Sequence, residues 1–164
     1  MFPDEISDDE RFRLRTLEAV EGYATLEMWD FAWEEISQLS HDDLLRPEVQ
    51  EMTLALLMRQ SRWKEAILVG RTLCRECPDL PQAFLHTAFC LHENGETPEA
   101  LKTLRSGPNS LQQDALFHYN SACYLAVMGY DNEAREALRT AFALDDKLRE
   151  NARTDKDLQS LWRH

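Results

Sequence analysis

The chain has 164 residues, 30 acidic and 18 basic, and carries a formal net charge of −12 at pH 7. That balance disfavours nucleic acid and anionic membrane as ligands, because both need clustered Lys or Arg to replace counterions. Four cysteines in a chain rich in apolar helical patterns fit a reduced compartment, and the acidic residues 1–10 offer neither a secretory leader nor a membrane span, so a cytoplasmic protein is expected.

In chain order, an acidic leader (residues 1–12) precedes four units of 34 residues at about 13–46, 47–80, 81–114 and 115–148, and a capping segment follows at 149–164. The first unit carries Thr16, Val20, Tyr23, Glu27, Ala32 and Ile36; the second Gln50, Leu54, Leu57, Ser61, Ala66 and Gly70. The third carries Phe84, Ala88, Leu91, Gly95, Ala100 and Leu104, and the fourth His118, Ala122, Leu125, Gly129, Ala134 and Leu138. Small and large apolar residues thus return at a fixed step, which is the signature of stacked helix-turn-helix units. Turn chemistry falls at the expected joints. Pro47, Pro78 and Pro81 stand where helices start or stop, Thr97-Pro98 reads as a cap followed by a first-turn proline, and Asp131 reads as another cap. Ser106-Gly107-Pro108-Asn109-Ser110 interrupts the third unit, so its second helix should end about a turn early, in a segment expected to be the most mobile. In the last segment Asp155 reads as a helix cap, with Leu158, Leu161 and Trp162 folding back on the fourth unit.

These residues resemble the tetratricopeptide repeat family over most of the chain. The resemblance implies an all-α fold, a right-handed superhelical stack of four helix-turn-helix repeats closed by a C-terminal capping helix. It implies that small residues sit where paired helices cross, that Trp29 and Trp63 pack at the entry to second helices, and that first helices line a concave groove. By the same resemblance, inward positions include Gln82, Leu85, Phe89, His92, Leu116, Tyr119, Asn120 and Cys123 in the C-terminal half. In the N-terminal half they include Leu14, Leu17, Glu21, Glu48, Glu51, Ala55 and Arg59. Members that clamp a chaperone's terminal carboxylate place Lys, Asn and Arg where this chain has Leu17, Glu21, Met52, Gln82 and His86, so the clamp is absent.

The leading functional expectation is a non-catalytic scaffold or adaptor. A peptide would lay apolar side chains on Leu85, Phe89, Leu116 and Tyr119, beside His92, with its backbone on Asn120 and its basic residues toward Glu21, Glu48 and Glu51. That acidic end is pronounced, since residues 1–54 hold 15 acidic and 4 basic side chains against 15 and 14 in residues 55–164. The competing expectation for the aromatic surface is that the C-terminal segment covers part of it. A specialised chaperone for an apolar partner is the first alternative. The second is a metal- or redox-responsive protein using Cys74 and Cys77, with His86 and Cys90 as the nearby donors. Against the second, the C-R-E-C pair falls at a helix C-terminus, the wrong pole to stabilise a thiolate, and one Cys pair is a weak metal signal. No phosphate-binding glycine loop, H-E-x-x-H or G-x-S-x-G is present, and the histidines are scattered, with His41 and His164 expected in solvent and His118 in packing. No enzyme, cofactor or metal is therefore expected.

Overall fold

A computed structural model describes residues 6–162; residues 1–5 of the acidic leader, and Arg163 and His164 at the end of the capping segment, lie outside the described residues. Every element among them is helical. The chain divides into two compact units, Met1–Ser61 and Arg62–His164. The division falls inside the second repeat, between its two helices.

The first unit contains α1 (Asp8–Thr25), α2 (Trp29–Ser37), the short α3 (His41–Leu44) and α4 (Pro47–Arg59). Helix α1 starts five residues before the repeat register at 13. The Ser7 hydroxyl accepts from the Glu10 amide at 3.2 Å, and Asp8, Asp9 and Glu10 fill the first turn, where acids complement the helix dipole. Its buried stripe is Arg13, Thr16, Val20 and Ala24. Val20 and Ala24 pack with Ala32, Ile36 and Leu56, and Trp29, Trp33 and Met52 close the edge of that core.

The second unit contains α5 (Trp63–Glu76), α6 (Pro81–Glu93), α7 (Thr97–Arg105), a 3-10 helix (Asn109–Gln113), α8 (Ala115–Val127), α9 (Asp131–Leu144), α10 (Leu148–Thr154) and a final 3-10 helix (Lys156–Trp162). First helices start at Pro47, Pro81 and Ala115, and second helices at Trp29, Trp63, Thr97 and Asp131, each series in steps of 34 residues. Burial follows the same step. Ala32, Ala66, Ala100 and Ala134 are each 0% exposed, as are Ala88 and Ala122. Helix backbones can approach closely only where side chains are this small.

Local capping differs from the sequence expectation at two joints. Thr97 is the first residue of α7 rather than its cap, and its hydroxyl lies 3.0 Å from His92 Nδ1 instead of serving the helix end. Asp131 likewise begins α9 without a side-chain cap bond at Tyr130. Helix α7 ends at Arg105, and the interruption that follows is packed. Leu111 is buried, and a Cβ on Gly107 would lie 2.4 Å from Leu111 Cδ1 and 3.0 Å from Phe84 Cγ. The segment is anchored at Gly107 and at Leu111, while Ser106, Asn109 and Ser110 are exposed.

Turns between paired helices share one backbone device. Glu27, Ser61, Gly95 and Gly129, again 34 residues apart, have φ of 56°, 55°, 86° and 83°. Glycine occupies this left-handed region without a Cβ clash, whereas an L side chain is strained there. Ser61 is exposed, so Ser61→Gly removes strain at no cost in contacts. Urea denaturation should show a gain of about 1 kcal/mol; an unchanged or lower midpoint would contradict the shared-turn reading.

Candidate functional site

The positions expected to line a groove fall on α1 and α4 of the first unit and on α6 and α8 of the second, and their exposure is unequal. In the first unit, Glu21 is exposed and pairs with Arg59, its Oε1 lying 2.9 Å from Nη2. Glu48 Oε1 lies 3.0 Å from Arg13 Nε, a charge contact out of line for a hydrogen bond. Glu51 is exposed and makes no ion pair among the described residues. Partial desolvation and the neighbouring Glu48 push its carboxyl upward.

Arg13 is the residue that sequence reasoning missed in this unit. It is 5% exposed, and its Nη1 donates to Asp43 Oδ1 at 2.9 Å. The Ser40 hydroxyl and Arg13 together hold the Asp43 carboxyl below its ordinary value. A cleft of about 490 Å3 opens beside them, lined by Phe12, Arg13, Asp42, Asp43 and Arg46 among others. The signal was present in the helical stripe Arg13, Thr16, Val20, Ala24, since an arginine on a buried stripe requires an acidic partner.

In the second unit, Leu85 is buried and Phe89 is half-buried, its ring edge-on to Trp63 at 5.8 Å between centroids. Leu116 is 47% exposed, and Asn120, one turn further along α8, is partly open. Gln82 and Leu116 are equivalent repeat positions, as are Leu85 and Tyr119, His86 and Asn120, and Phe89 and Cys123. The two helices therefore present the same register.

Tyr119 and His92 are not open. The Tyr119 hydroxyl donates to Asp155 Oδ2 at 2.8 Å, and the Cys123 thiol reaches the same oxygen at 3.7 Å. His92 Nε2 lies 2.9 Å from Asp157 Oδ2, and its ring packs on Tyr124 with centroids 4.8 Å apart. Arg135 of α9 donates through Nη2 to the Leu161 carbonyl at 2.6 Å, while Leu158 and Leu161 are fully buried. The C-terminal segment thus covers this part of the surface, and Tyr119 contacts Asp155 where the sequence reading set it against a ligand. The segment itself differs from a single capping helix. It consists of α10 and then a 3-10 helix, with Asp155 Oδ1 accepting from the Asp157 amide at 3.0 Å. Trp162 stays 45% exposed, its Nε1 donating to the Ala152 carbonyl at 3.2 Å.

Ligand atoms of Cys123, Asp155 and Asp157 lie within 4.8 Å of one another, the one such group of metal-capable donors among the described residues. Burial and the two carboxylates push the Cys123 thiol upward, so it stays protonated and donates. Burial and Asp155 likewise push the Tyr119 phenol upward. The phenol and the thiol thus both donate to the Asp155 carboxylate. The pair singled out in sequence is placed differently. Cys77 ends α5, and Cys74 Sγ lies 3.6 Å from Thr87 Oγ1, its thiol raised mainly by burial. Cys90 is wholly buried and pushed up to about 12, and burial lowers the neighbouring His86. Each shift favours the neutral group, opposite to what a reactive thiolate requires. His118 Nε2 lies 2.8 Å from the Gln112 carbonyl, where it serves packing.

The fold defined by these hairpins is that of tetratricopeptide-repeat proteins. The chain is similar to MamA 41-end from Desulfovibrio magneticus RS-1, with a TM-score of 0.74 and 15% identity over 96% of this chain and 92% of that one. It is also similar to TTC0263, a thermophilic TPR protein in Thermus thermophilus, with a TM-score of 0.71 and 17% identity over 92% of this chain and 81% of the other. MamA MSR-1 C2 gives a TM-score of 0.70 at 15% identity, over 89% and 82% of the two chains. No family model matches the sequence, and no curated protein matches it. Among the described residues no helix is long and apolar enough to cross a membrane.

Proposed function

We propose that this chain is a non-catalytic protein-interaction module that takes a protein segment on the α6 and α8 face. The tetratricopeptide-repeat fold supports interaction in general terms. The observation that carries the reading to this face is that Leu116 stands 47% exposed beside the partly open Asn120, a large apolar side chain in solvent where the equivalent position of α6 carries the polar Gln82. An exposed leucine next to a side-chain amide suits an apolar segment whose backbone needs a hydrogen-bonding partner.

The test replaces Phe89 and Leu116 by Ala, leaving the hydrogen-bonded Tyr119 in place. Pull-down from native cytosol followed by mass spectrometry should return specific proteins with the wild-type chain. The double variant, helical by circular dichroism, should lose nine-tenths of that capture or more, equivalent to about 1.4 kcal/mol. Undiminished capture would remove the face from the account.

A further inference from the structure

We propose that the α6 and α8 face is a receptor for acidic, aliphatic segments of the form Asp-x-Asp-Leu-x-x-Leu, and that residues 155–161 are its resident occupant in cis. The inference rests on the reading of this face as a binding surface and names the chemistry it accepts.

The polar contacts all run in one direction. His92 of α6, Tyr119 and Cys123 of α8 and Arg135 of α9 supply an imidazole, a phenol, a thiol and a guanidinium. The segment supplies the Asp155 and Asp157 carboxylates and the Leu161 carbonyl. Two carboxylates two residues apart are read by separate donors, and Leu158 and Leu161 enter full burial behind them. Charged hydrogen bonds of this kind fix register, and the buried leucines add non-directional area.

The occupant is also held in a form suited to exchange. A seven-residue 3-10 helix has poorer internal hydrogen-bond geometry than an α-helix, so its position depends on the receptor. A segment of the same chemistry on another protein would meet the same donors. It would bind in proportion to the fraction of chains whose own segment has left, so the cis occupant sets the apparent affinity.

The probe is a fluorescent synthetic peptide with the sequence of residues 155–162, titrated into the full chain and into an Asp155→Asn, Asp157→Asn chain while anisotropy is read. The doubly substituted chain should bind about tenfold more tightly than wild type, because its own segment competes less well. Adding Tyr119→Phe to that chain should reverse most of the gain, and a peptide bearing Asn at both acidic positions should not bind. A second arm uses the wild-type chain alone: hydrogen exchange at residues 155–162 should accelerate in excess peptide, which settles the matter should the substituted chain lose helicity. Unchanged exchange at saturating peptide, or equal affinities of two folded chains, would make the segment a permanent cap and overturn the proposal. Concentration-dependent dimers dissolved by the peptide would assign the occupant to a second copy and overturn it equally. If the peptide fails while the Phe89 and Leu116 variant still loses its captured proteins, only the acidic-segment inference falls.

Discussion

Gly70→Ala should destabilise the chain by about 1–3 kcal/mol in urea denaturation, although alanine is the better helix former. A Cβ built at Gly70 lies 2.2 Å from Thr87 Oγ1 and 3.1 and 3.2 Å from the other two Thr87 side-chain atoms. Thr87 cannot easily move aside. It is fully buried, and its hydroxyl donates to the Ala83 carbonyl at 2.6 Å. Helix propensity alone would favour Ala over Gly by about 1 kcal/mol, so a net loss isolates the steric contact between α5 and α6. Thr87→Ala removes the obstructing atoms. The double variant should therefore lose less than the sum of the two single changes, by roughly 0.5–3 kcal/mol of coupling. Additive losses, or a Gly70→Ala chain more stable than wild type, would show that the helices do not meet as described.

Gly70 also marks where reading the sequence stops. Its position in the period is taken by Ile36, Leu104 and Leu138 in the other repeats. The sequence therefore showed a departure at Gly70 but not its cause, which is a threonine on the next helix, seventeen residues away. The helix starts were more accessible. Pro47 and Pro81 begin α4 and α6 because proline suits a first turn, and Trp29 and Trp63 begin α2 and α5.

The C-terminal segment was harder. Leu158 and Leu161 stand three apart, a spacing that an α-helix and a 3-10 helix share, so periodicity could not separate them. Asp155 was readable as a cap from its residue type, and one of its oxygens does accept a backbone amide within the segment. Its other oxygen accepts from Tyr119, 36 residues earlier, and no local pattern announces such a bond. Arg13 failed for a related reason. An arginine near an acidic N-terminus looks solvated, and only its place on the Thr16, Val20, Ala24 stripe marks it as buried. For the candidate face, the repeat register supplied positions but not exposure. Leu85 and Leu116 read alike in sequence, yet one is buried and the other half open.

All of this depends on the 34-residue step being a step of packing, with one small side chain per repeat held in the helix interface. Helix α9 contains the control as well as the test, since Ala134 is fully buried and Ala143, nine residues on, is exposed. Replacing either by leucine adds the same atoms to the same helix with nearly the same helix propensity. Urea denaturation of the two variants should show a loss of about 1–3 kcal/mol or more for Ala134→Leu, and a change within about 0.5 kcal/mol for Ala143→Leu. Equal effects at the two positions would contradict the repeat as the unit of packing.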